Sequence, residues 1–136
     1  MALPVTHTLF EVVKSTSSVD ASNGKAGCMR APFKGTLVEA GSMISSVLST
    51  ADATCTVSIA GTAVTGGNWV ITQSSSAIGD LDFASVSGVG NGVAAGANTT
   101  ITAANTFNEG DLIKYAFTGS GTAGGPVYLY AVLRKG

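Results

Sequence analysis

The chain has 136 residues, enough for one domain with a self-sufficient core. Charged residues make up 11%, against roughly 25% in an average soluble domain, and the net charge of −1 comes without any Lys/Arg run. There is therefore no electrostatic footprint for nucleic acid or an anionic membrane, and neither is expected as a partner.

The N-terminal stretch MALPVTHTLFEVVK has no basic start followed by a long apolar core, so the chain is expected to be made and used without export through the general pathway. No apolar run approaches the length of a bilayer-spanning helix. Residues 1–32 read as an N-terminal arm with one strand, Thr8 to Lys14, and a small polar loop, Ser15 to Gly27. Residues 33–136 read as the folded domain. Phe33 to Ala40 is a strand candidate, Gly41 marks a turn, and Met43 to Leu48 is the next candidate. Thr54 to Ile59 alternates strictly, with Cys55, Val57 and Ile59 on one face and Thr54, Thr56 and Ser58 on the other. Ala60-Gly61-Thr62 is a tight reversal, Ala63-Val64 returns, and Gly66-Gly67 ends that run. Asn68 to Thr72 carries the single Trp, Trp69. Asp82 to Val89 is ambiguous, Gly90 to Ala97 is a Gly/Ala loop, and Thr99 to Ala103 is a further strand.

The C-terminal stretch organises the rest. Asn108-Glu109-Gly110-Asp111 is a turn, Leu112 to Thr118 a strand, Ser120 to Gly125 a loop, and VYLYAVLR a last strand completing a hairpin. Val127, Leu129, Ala131 and Leu133 share one face of that strand; Tyr128, Tyr130, Val132 and Arg134 share the other. Both faces carry large apolar groups, so both are expected to be covered, one by the core and one by a second sheet or another subunit. The whole is an all-β chain of about eight short antiparallel strands, expected to form a jelly-roll-like β-sandwich with an extended N-terminal arm.

Signs of chemistry are sparse. His7, the one histidine, lies near the terminus, and no Ser/His/Asp or Cys/His arrangement surrounds it. No set of His, Cys, Asp and Glu has zinc spacing, so no catalytic residue, metal or cofactor is assigned. Asp80 and Asp82 could share a face as a calcium or glycosidase pair, but read better as a solvated loop. Glu109 and Asp111 read as turn chemistry. Cys28 and Cys55 cannot build a framework, and Cys55 reads as a buried free thiol. Trp69, Tyr115, Tyr128 and Tyr130 could stack on sugars, as in a carbohydrate-binding or adhesin-type module with host-surface glycans as partners; their place inside apolar strands favours core or subunit contact.

The stretch from Thr50-Ala51-Asp52-Ala53-Thr54 through Val57-Ser58-Ile59-Ala60-Gly61-Thr62-Ala63-Val64-Thr65-Gly66-Gly67 resembles a pattern of small jelly-roll proteins of tailed bacteriophages. Asn108-Glu109-Gly110-Asp111-Leu112-Ile113 is similar to the turn that opens their penultimate strand, and VYLYAVLRKG resembles their last strand. These are capsid decoration, or cement, proteins and head-fibre bases, and the resemblance covers residues 33–135. It implies a non-enzymatic homotrimer on the outer surface of the virion that binds the major capsid protein and clamps neighbouring capsomers. On that reading Tyr115, Phe117, Tyr128, Tyr130 and Val132 belong to the core or trimer interface. Leu3, Pro4, Leu9, Phe10 and Arg30 would be capsid contacts of the arm.

Overall fold

The computed structural model describes residues 10–15, 25–48, 51–73, 75–88, 99–119 and 127–136, the first of these stretches as backbone alone. They form strands and turns throughout. In chain order the strands are β1 (Phe10–Ser15), β2 (Ala26–Arg30), β3 (Gly35–Ile44), β4 (Ala53–Ile59), β5 (Thr62–Ile71), β6 (Leu81–Ser85), β7 (Thr99–Thr100), β8 (Thr106–Phe107), β9 (Leu112–Thr118) and β10 (Val127–Lys135). One sheet has the order β1-β10-β3-β6-β7, with β8 also paired to β3; the other has the order β2-β9-β4-β5. Every pairing is antiparallel except β6 with β7.

Setting aside the two-residue strands β7 and β8, eight strands remain, and their pairing has one logic. The first pairs with the last, β1 with β10. The second pairs with the seventh, β2 with β9; the third with the sixth, β3 with β6; the fourth with the fifth, β4 with β5. The chain is folded in half at Ala60-Gly61 and then rolled, which brings β10 beside β3 and β9 beside β4. That is the two-Greek-key connectivity of a jelly roll, and the expected β-sandwich is the fold found.

The local sequence explains the best-formed strands. In β4 the alternation is complete, with Ala53, Cys55, Val57 and Ile59 buried between partly exposed Thr and Ser. Ala60 (φ 49°) and Gly61 (φ 87°) both take left-handed conformations, as a two-residue type I′ reversal needs. Gly110 (φ 86°) serves the Asn108–Asp111 turn, where the Asn108 N–H donates to Asp111 Oδ2 at 2.8 Å.

Several expectations are corrected. β9 and β10 are not a hairpin: they lie in different sheets, and the expected Ser120 to Gly125 loop lies outside the described residues. Gly41 is no turn but the middle of β3, which absorbs the first part of the Met43–Leu48 candidate. Gly66-Gly67 does not end a strand: β5 runs through it with a bulge opposite Val57. Gly66 adopts φ 78°, and a Cβ there would lie 2.0 Å from the Thr100 carbonyl oxygen. The loop reading of Ser15–Gly27 fails at both ends, since Ser15 closes β1 and Ala26-Gly27 open β2. In β2 the inward positions are Gly27 and Met29, too little apolar surface for a visible period. Of Thr99–Ala103 only Thr99-Thr100 is a strand; Ala103 makes a single bridge to Thr65.

The core lies between the sheets. Leu37, Ile44, Leu129 and Leu133 from the first sheet meet Val57, Trp69, Ile113 and Phe117 from the second. Two hydrogen bonds cross the interior: Trp69 Nε1–H donates to Ser42 Oγ at 2.8 Å, and Tyr115 O–H donates to the Tyr130 carbonyl at 2.6 Å. The Trp69 and Tyr115 rings meet edge to face, 5.8 Å apart.

Candidate functional site

The candidate site is the outer face of the first sheet, where β10 lies between β1 and β3. Residues opposed in an antiparallel pair point to the same side, so the register builds three rows. Tyr128 stands opposite Met43, and Met43 opposite Leu81; Tyr130, Gly41 and Phe83 form the next row; Val132, Glu39 and Ser85 the third. The rows differ in cover. Val132, Glu39, Phe83 and Ser85 are buried within one chain, whereas Tyr128 is 45% exposed and Met43 37%. The second apolar face of the last strand is thus closed at one end and open at the other.

The middle row explains Gly41. A Cβ at that position would sit 2.6 Å from the Tyr130 ring and 2.8 Å from the Asp82 carbonyl oxygen. Glycine leaves a trough through which the Tyr130 ring crosses β3, and its O–H donates to Glu39 Oε2 at 2.5 Å. Burial raises the Tyr130 phenol well above its ordinary range, with the hydrogen bond to Glu39 and the charges of Glu39 and Asp82 adding to it. The phenol therefore stays protonated and acts as a donor that fixes the ring.

The remaining sequence candidates scatter. Tyr115 and Phe117 are buried in the core on β9, in the sheet opposite β10. Trp69 is 1% exposed, so the proposed sugar-stacking platform is dismantled: Trp69 and Tyr115 face the interior and only Tyr128 is well exposed. Asp80 and Asp82 are not a solvated pair. Asp82 is buried in β6, where it accepts a hydrogen bond from Ser76 Oγ at 3.0 Å, while Asp80 caps its own loop by accepting the Ala77 N–H at 3.1 Å. Arg30 is exposed at the end of β2 and its Nη1 donates to the Gly110 carbonyl at 3.1 Å, tying the Asn108–Asp111 turn to that strand. Phe10 opens β1 opposite Lys135. Leu3, Pro4, Leu9 and His7 lie outside the described residues. Cys55 is a buried free thiol whose pKa burial pushes up, and Cys28 is free and exposed.

Sequence reasoning missed Met43 and Glu39 as members of this face. The signal was Gly41 between them: a glycine inside an otherwise apolar, strand-forming run marks a close approach as often as a turn. Among the described residues no group of three or more His, Cys, Asp or Glu is placed to hold a metal ion. No family model, no curated protein and no solved structure matches this chain.

Proposed function

We propose that the protein is a structural virion protein: a homotrimeric decoration, or cement, protein that binds the major capsid protein on the outside of a phage head and holds neighbouring capsomers together. The observation that carries this reading is the open end of the outer face, where Tyr128 and Met43 stand side by side and half in water on an otherwise core-like strand. Exposed aromatic and Met side chains on a rigid sheet suit a protein contact. The jelly-roll connectivity and the resemblance of residues 33–135 to phage decoration proteins support the same reading. A trimer engages several capsid subunits at once, and that multivalency raises its hold without any single strong contact.

The test is the solution mass by light scattering after size exclusion. A stable species at three times the 13.5 kDa chain is expected; a monomer at all concentrations overturns the trimer. Removing residues 1–9 tests the arm while sparing β1, and capsid binding is expected to weaken while the trimer persists.

A further inference from the structure

Several oxygens converge on one hydroxyl at the side where β5 and β7 close the sandwich. In the β4–β5 pair, Thr56 opposes Asn68 and Ser58 opposes Ala63, so Val57 alone faces residues 64–67 and β5 bulges outward. The bulge turns carbonyl groups toward Thr99 of β7, which belongs to the first sheet through its parallel pairing with β6. Thr99 Oγ1 lies 2.5 Å from the Gly66 carbonyl oxygen, within hydrogen-bonding reach of the Asn68 carbonyl oxygen, and 3.1 Å from Asn68 Oδ1. A hydroxyl has one hydrogen to donate, so it serves one of these acceptors at a time. The backbone around them is held. The Thr65 N–H donates to the Ala103 carbonyl and the Thr102 N–H to the Thr65 carbonyl, each at 3.0 Å.

Thr99 Oγ1, Asn68 Oδ1 and the carbonyl oxygens of Gly66 and Asn68 thus bring the negative ends of their dipoles to one small volume. All are hard oxygen donors, with no nitrogen or sulfur among them, a set that suits calcium better than zinc or copper. Magnesium demands a near-ideal octahedron and gives up its waters reluctantly, whereas calcium accepts irregular sets of carbonyl, amide and water oxygens. Asn68 is exposed and Thr99 partly so, which leaves room for water to complete a coordination shell. We propose that Gly66, Asn68 and Thr99 form a calcium site that ties β5 of the second sheet to β7 of the first. The set holds no carboxylate, and charge count tunes calcium affinity, so the dissociation constant belongs at the weak end, roughly 10⁻⁴–10⁻³ M. The site stands apart from the Tyr128–Met43 face and does not depend on the function proposed above.

The experiment compares wild type, Thr99→Val and Asn68→Asp by thermal melting in calcium chloride and by terbium luminescence. The luminescence is excited through Trp69, the residue after Asn68 and the single indole of the chain. Calcium at about ten times its dissociation constant is expected to raise the wild-type melting temperature by about 4–6 °C, and to displace terbium. Thr99→Val is expected to lose both responses. Asn68→Asp sets a charged oxygen at the same position and is expected to tighten calcium by about tenfold or more, a gain that a purely structural hydrogen bond does not predict. Should Thr99→Val fail to fold, Asn68→Asp decides alone. Equal calcium shifts and equal terbium emission in wild type and Thr99→Val overturn the site, and so does an Asn68→Asp protein that binds calcium no tighter. A shift matched by potassium chloride at the same ionic strength overturns the assignment to calcium.

Discussion

Gly41 shows how one missing Cβ shapes a face. Its neighbours across both pairings are Tyr130 and Phe83, and the Tyr130 ring occupies the space that any side chain at Gly41 would need. Gly41→Ala sets a methyl against the ring at 2.6 Å and against backbone at 2.8 Å, so the ring must leave and its hydrogen bond to Glu39 must break. The expected cost is about 1–3 kcal/mol, in the range of overpacking, read as a lower urea midpoint with an unchanged slope. Stability equal to wild type would mean that Tyr130 has another low-energy rotamer and that the trough is incidental. The phenol, not the ring alone, matters here, because the buried carboxylate of Glu39 takes its hydrogen.

At the level of elements, the hairpin β4–β5 is the fold's midpoint, and its turn is not optimal. Ala60 holds φ 49°, a conformation that costs an L-residue about 1 kcal/mol and that Asn tolerates. Asn-Gly is the favoured pair for this reversal. Ala60→Asn is therefore expected to raise stability by about 0.5–1 kcal/mol, measured as a higher melting temperature, without altering the far-ultraviolet spectrum. A loss would show that the Ala60 methyl has a packing role. The separation of β9 from β10 belongs to the same scale. β9 has one core face, Ile113, Tyr115 and Phe117, with partly or well exposed residues between. β10 is buried on its inner face and half covered on its outer one. The two strands face each other across the core, joined by the Tyr115 hydrogen bond to the Tyr130 carbonyl.

For the molecule as a whole, the interior sets the alkaline limit of stability. Burial raises the phenols of Tyr115 and Tyr130 above their ordinary 10.0 and the thiol of Cys55 above its ordinary 9.0. The native state then keeps protons that the unfolded chain gives up. The associated stability is complete below the unfolded values and is lost as pH climbs past them toward the native ones. Urea midpoints are expected to hold from about pH 7 to about pH 9 and then to fall steadily toward about pH 11. The tyrosinate absorbance of Tyr115 and Tyr130 should appear with unfolding, not before it. A midpoint that stays level to about pH 11 would show that these groups ionise equally in both states.

The fold class, the alternation in β4 and β10, the turns at Ala60-Gly61 and Asn108–Asp111, and the buried state of Cys55 are all legible in the amino-acid sequence. All of these rest on local periods and on residues that favour particular backbone angles. It also marked Tyr128, Tyr130 and Val132 as one face of one strand. What that face meets is settled only by the folded chain: Val132 is closed over, Tyr130 crosses Gly41, and Tyr128 remains open beside Met43. It alone placed Asp82 in the interior, decided that Trp69 is core and not a subunit contact, and separated β9 from β10. The physical reason is range. A strand's period says which residues share a side, but its neighbours come from pairings such as β1 with β10, fixed by packing between segments more than a hundred residues apart.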